Sequence, residues 1–199
     1  MKKMLITGFE AFGGETVNPS WQAVEMLPEV VGEFILSKLC LPVVFGDAAR
    51  KVISEAERIK PDCILCIGQA GGREAITPEM IGINLRYASI EDNAGNRPID
   101  EKISQNGNDA YFATVPVRKI SEAINEAGIR SQVSYSAGAY VCNDTLYTLL
   151  EYFDGSDVPV GFIHIPYSNE QVKDRPTLPS MPIEIICEAL KIAIKNLQA

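Results

Sequence analysis

The chain has 199 residues, 46% hydrophobic and 22% charged, with a formal net charge of −8 and a pI near 4.8. That size and balance suit one sizeable buried core. The acidic surplus argues against nucleic-acid or polybasic membrane contacts, which need clustered Lys and Arg.

The N-terminal MKKMLITGFEAFGG holds too short an apolar run for a secretory signal, and no stretch is long enough to span a bilayer, so a cytoplasmic location is expected. Residues 2–7, followed by Gly8, read as a strand running into a glycine-rich loop. PSWQAVEMLP follows as a helix, with Pro19 where the first turn tolerates it. Residues 33–45 read as one long or two short strands. In 46–60, Val52, Ile53, Ala56 and Ile59 form an apolar stripe of helical period. DCILCIG and EMIGINLRYASI read as two further strands, and the polar, turn-rich stretch 91–108 as an excursion shaped like a hairpin. A helix ending at Gly128, a strand-like SQVSYS, a helix over 142–153, a strand over 158–166 and a closing helix over 182–198 complete the chain.

Alternating strands and helices, the strands nearly all apolar, point to one α/β domain over 1–199: an open, twisted, mostly parallel sheet with helices on both faces, like that of phosphorylase- and hydrolase-type folds. Five cysteines without a secretion signal read as free thiols. Cys63 and Cys66 form a C-x-x-C, but residues three apart in a strand face opposite sides and no second pair exists, so strand packing outweighs a redox or zinc reading.

In open α/β sheets ligands gather at the carboxyl ends of the strands. His164, the only histidine, stands near that end of its strand, just before Pro166. Cys142 falls where a helix should begin after Gly138. There the helix dipole and a nearby imidazolium would lower a thiol's pKa and make it a nucleophile. The loops GFEAFGGETVNPS and GQAGGREAITPE carry glycines, phenylalanines and amides but no lysine, so they suit a small, neutral, partly apolar ligand better than a phosphate.

GFEAFGG…NPSW, GQAGGR…TPE, SAGAYVCN and GFIHIPY, in this order, resemble the pyrrolidone-carboxylate peptidases, the pyroglutamyl peptidase I family of cysteine peptidases. The resemblance runs from Leu5 into the final helix. It implies Cys142 as nucleophile, His164 as acid/base and Glu79 as the carboxylate that orients the ring. It implies removal of N-terminal pyroglutamate from peptides or proteins through a thioester, with no metal or organic cofactor. The lactam would sit between Phe9 and Phe12, hydrogen-bonded by Asn18 and Gln69, with Ile90 and Val141 as the remaining apolar wall. Capping of the following helix is a competing role for Asn18. Relatives are commonly homotetramers, so self-association is expected.

The chain departs from the family pattern at Ser89, where many bacterial relatives carry an arginine near the active site. Arg86 is a neighbour that would substitute for it. Val43 stands where some relatives place a threonine. A non-catalytic ligand-binding protein on the same fold is the alternative that Ser89 favours, and a nucleoside- or phosphate-binding enzyme is a weaker one.

Overall fold

The structure is a computed structural model that describes residues 1–197, so the predicted end of the closing helix at Gln198 lies outside it. Its first strand, β1 (Lys2–Phe9), leads into helix α1 (Pro19–Met26) and the strands β2 (Val30–Val31) and β3 (Phe34–Leu41). Next come α2 (Asp47–Ile59), β4 (Cys63–Gln69), β5 (Thr77–Pro78), β6 (Ile81–Ile83) and β7 (Ala110–Phe112). The remainder is α3 (Val117–Glu126), α4 (Val141–Tyr152), β8 (Val160–Ile165), β9 (Tyr167–Ser168), β10 (Ser180–Met181) and α5 (Ile183–Lys195).

Among the described residues the main sheet has six strands in the order β2-β3-β1-β4-β8-β5. The central four, β3, β1, β4 and β8, are parallel, while β2 and β5 pair antiparallel at the edges. The mostly parallel α/β sheet expected from the sequence is therefore present. Its central strands are almost wholly buried because helices cover both faces. Ile6, Leu65, Ile67 and Ile163 pack with α1, α3 and α5 on one face. Leu5, Ile64, Cys66 and Phe162 pack with α2 and α4 on the other. Odd and even positions of each strand thus feed separate cores, which puts Cys63 and Cys66 in different ones.

Local chemistry explains where the sequence expectations need correction. Pro42 follows the end of β3, so 33–45 holds one strand rather than two. Of the strand expected over 79–90, only β6 forms, paired with β7. The amide of buried Asn143 takes the N–H and carbonyl of Ile83 and the carbonyl of Leu85, groups that a longer ladder would use. SQVSYS makes only isolated bridges at Ser131 and Ser134, and the side chain of Asn125 occupies both backbone groups of Ser131. The 91–108 stretch forms no regular strand pair; the chain doubles back through turns, with one antiparallel bridge between Arg86 and Glu101 and an N–H bond from Ala88 to the Pro98 carbonyl. The Asp92 carboxylate organises it by accepting from the amides of Ala94 and Asn96 and, across the fold, from Phe45.

Candidate active site

The site lies on the α2/α4 face, where β4 and β8 end beside each other. His164 faces it from β8 two residues beyond Phe162, and the two rings meet tilted at 51° with centroids 4.8 Å apart. The antiparallel edge strand β5 pairs Thr77 with His164, and Glu79 donates its backbone N–H to the Phe162 carbonyl. This short reversal carries the Glu79 side chain against the ring: Oε1 lies 2.7 Å from Nδ1 of His164, and both residues are buried. A buried carboxylate on one ring nitrogen fixes the tautomer and frees the other nitrogen for proton transfer.

Cys142 is the second residue of α4. No side chain caps this helix, yet its first turn is held firmly. Asn143 clamps it to Ile83 and Leu85. Buried Asp144 pairs with Arg86, Nε to Oδ1 at 2.5 Å, and accepts from the N–H of Gly46 at 2.7 Å. Arg86 is thereby committed to α4 and is not free to stand in for an arginine at 89, where Ser89 is exposed.

Gly68 joins the two halves of the site. Its backbone is in register with His164 in the parallel β4–β8 pair, and a Cβ there would stand 3.0 Å from Cys142 Sγ and 2.7 Å from the Phe162 ring. Only a residue without a side chain lets the sulfur settle over the end of β4 beside the imidazole strand.

The electrostatics differ from the thiolate expected at a helix N-terminus. Burial pushes the Cys142 thiol up to about 12; the charges of Glu79 and Cys66 add to this, and Arg73 opposes it. Burial also depresses His164 below 6.5, against the raising effect of Glu79, and Arg73 depresses it further. Desolvation is the largest influence on each, so the resting site holds an uncharged thiol and a neutral imidazole. Glu79 ionises more readily than an ordinary carboxyl: burial opposes its charge, but His164, Ser134 and Arg73 together more than offset it. Its Oε2 has no partner of good hydrogen-bond geometry; the nearby Ser134 hydroxyl, which favours the charged form, also donates to the carbonyl of Ser136 at 3.2 Å.

A cavity of about 40 Å³ adjoins the sulfur, lined by Phe9, Phe12, Asn18, Val43, Gln69, Tyr140, Val141 and Cys142. Five of the six residues expected to bind substrate are in this lining. The sixth, Ile90, lies outside it: it is exposed near the loop glycine Gly13, with its Cδ1 3.8 Å from where a Cβ on that residue would be. Asn18 caps α1, the competing role, accepting from the N–H and hydroxyl of Ser20 and donating to the carbonyl of Glu10. Gln69 Oε1 accepts from Gln171 Nε2 at 3.0 Å, and the side-chain Oε1 of Gln171 is buried without a partner.

Sequence reasoning passed over Arg73, Tyr140, Asn143 and Gln171. The first three lie inside or directly beside quoted motifs, where an arginine in a glycine loop next to the candidate carboxylate was the signal to read. Gln171 sits in a polar loop with nothing in its surroundings to single it out. Among the described residues no cluster of three or more His, Cys, Asp or Glu could hold a metal, and no helix is long and apolar enough to cross a membrane.

The family profile described as pyroglutamyl peptidase matches residues 2–199. The chain is 45% identical to the pyrrolidone-carboxylate peptidase of Brachyspira hyodysenteriae over 98% of both sequences. It is 47% identical to that of Staphylococcus saprophyticus over 97% of this chain and 92% of the relative. The crystal structure of Bacillus amyloliquefaciens pyroglutamyl peptidase I superposes with a TM-score of 0.95 at 43% identity, covering 99% of this chain and 97% of the other. The pyrrolidone carboxyl peptidase of Thermococcus litoralis gives a TM-score of 0.94 at 38% identity, covering 99% and 93%. Sequence and fold agree along the whole chain, which belongs to the pyroglutamyl peptidase family of peptidases.

Proposed function

We propose that the chain hydrolyses the amide bond after an N-terminal pyroglutamyl residue, with Cys142, His164 and Glu79 as its catalytic triad. The observation that carries the reading is the buried 2.7 Å contact of Glu79 with His164, set one strand away from a thiol at a helix start and its small apolar cavity.

The uncharged resting pair suggests how the reaction runs. As the sulfur attacks the pyroglutamyl carbonyl carbon, His164 takes the thiol proton on the nitrogen opposite Glu79. Glu79 stabilises the imidazolium that forms. The oxyanion meets the backbone N–H groups at the start of α4, which have no partner within the helix. Collapse of this intermediate breaks the C–N bond; His164 returns the proton to the leaving amine, and a thioester remains. Water then attacks the thioester with His164 as base, releasing pyroglutamate and restoring the thiol.

The rings of Phe9 and Phe12 and the methyls of Val141 offer apolar contact to the lactam, and Asn18 and Gln69 offer amides for its N–H and carbonyl. A substrate lacking the lactam would forgo its hydrogen bonds to these amides, which is a basis for specificity. Ile90 would serve at the rim rather than in the wall. A homotetramer is the proposed assembly, supported by the exposed rings of Phe112 and Tyr135, and a cytoplasmic location is proposed with it. Light scattering on the purified chain reads the assembly.

The test of function is turnover of a pyroglutamyl-coumarin amide, abolished by iodoacetamide and by Cys142→Ala. Well-folded protein that binds a pyroglutamate analogue without turnover would instead be a binding protein on this fold.

A further inference from the structure

The guanidinium of Arg73, in the loop between β4 and β5, is three-quarters buried against the triad. Its Nη1 donates to Thr77 Oγ1 at 2.5 Å and to Glu79 Oε1 at 2.7 Å, and its Nη2 to the carbonyl of Ser136 at 3.0 Å. The oxygen it holds on Glu79 is the one that also meets His164 Nδ1. One carboxylate oxygen is thus shared between two cationic or potentially cationic groups, while Oε2 stays unpartnered. A residue that merely pinned the loop would be satisfied by Thr77 and Ser136, whereas this one spends its charge on the carboxylate that orients the ring.

We infer that Arg73 is a positioning residue of the hydrolytic machinery, its guanidinium dividing one oxygen of Glu79 with the imidazole so that the carboxylate orients the ring without drawing a proton onto it. This rests on the hydrolase reading above. The charged and titratable groups around the cluster are Glu79 from beyond β5, Arg73 from the β4–β5 loop, Cys142 from α4 and Cys66 from β4. Of these, Arg73 supplies the fixed positive charge. It disfavours imidazolium, so the ring stays a competent base at lower pH, and it draws the thiol toward ionisation.

Because His164 is the chain's sole histidine, its ring proton gives one resolved titration curve by proton NMR in untagged protein. In Arg73→Gln the midpoint of that curve rises by about one pH unit or more. Both limbs of the kcat/KM profile for a pyroglutamyl-coumarin amide move upward with it. Arg73→Lys keeps the charge but loses the fork: its midpoint stays at the wild-type value while kcat/KM falls about tenfold. A folded Arg73→Gln with wild-type midpoint and limbs overturns the proposal, and so does a fully active Arg73→Lys. Should Arg73→Gln fail to fold, Arg73→Lys decides alone, with its thermal unfolding recorded beside its rate. The NMR titration needs no turnover, so failure of the role given to Arg73 and failure of the hydrolase reading are told apart.

Discussion

A methyl group added at Gly68 would stand 3.0 Å from Sγ of Cys142 and closer still to the ring of Phe162. Neither neighbour can withdraw easily: Phe162 is fully buried, and Cys142 is fixed by the clamped start of α4. Gly68→Ala is therefore expected to destabilise the fold by about 1–3 kcal/mol. At temperatures where the variant is folded, kcat should drop by at least ~10-fold, since small displacements of reacting groups cost that much or more. Thermal unfolding and steady-state kinetics on the same preparation check both. A variant with native kcat would mean the sulfur does not react from this position.

The pH dependence of stability has a definite sign. In the unfolded chain His164 takes up a proton as pH falls through about 6.5, while the folded chain, with its depressed value, does so only lower. Glu79 and Asp92, both held below their ordinary values, repeat the pattern at more acid pH. All three contributions are present above the unfolded values and are lost as pH falls through the folded ones. Stability should therefore decline from just below neutrality, each group adding at most about 1.4 kcal/mol per pH unit. Urea unfolding across pH 4–8 reads this, and His164→Gln should delay the onset of the decline.

Catalysis should persist well above neutral pH. With the thiol pushed up to about 12, the alkaline limb of the rate profile belongs outside the range where an ordinary cysteine ionises. An alkaline limb near 8 or 9 would show that substrate, or the helix dipole, overrides desolvation at Cys142.

Gln171 should matter to binding more than to chemistry. Its amide orders Gln69 through one partly buried hydrogen bond, so Gln171→Ala should raise KM roughly 3- to 10-fold, with kcat changed less. Equal loss in both constants would place Gln171 in the reaction itself.

Asn143→Ala removes three hydrogen bonds and strands the Ile83 N–H and two carbonyls. A loss of about 2–4 kcal/mol is expected, summed from unsatisfied buried groups, and is measurable by denaturant titration.

The sheet was legible because its strands are uniformly apolar and its helices carry apolar stripes of regular period. Runs such as CILCIG and FILSKLCL leave few alternatives once helices lie between them. What escaped was structure made by side chains. Asn143 cut short a predicted strand and Asp92 gathered the predicted hairpin into turns, and each acts across more than forty residues. The candidate triad was legible because the chain has one histidine and it falls in a recognisable motif. The acidity of Cys142 was not, because position at a helix start is local information, whereas desolvation depends on everything packed around the sulfur. Arg73 was overlooked for a similar reason: its partner Glu79 reaches the ring only through an edge strand that no periodicity announces.

The cavity of about 40 Å³ beside the sulfur is walled by Phe12 and Asn18 from the loop after β1 and by Gln69 at the end of β4. Nearby, Arg175 pairs with Glu15 at 2.7 Å and Gln171 bonds Gln69, which fastens the loop after β9 to the loop after β1 and to the end of β4. Loosening these fastenings would therefore be felt in how a guest enters and leaves, not in the chemistry at the sulfur.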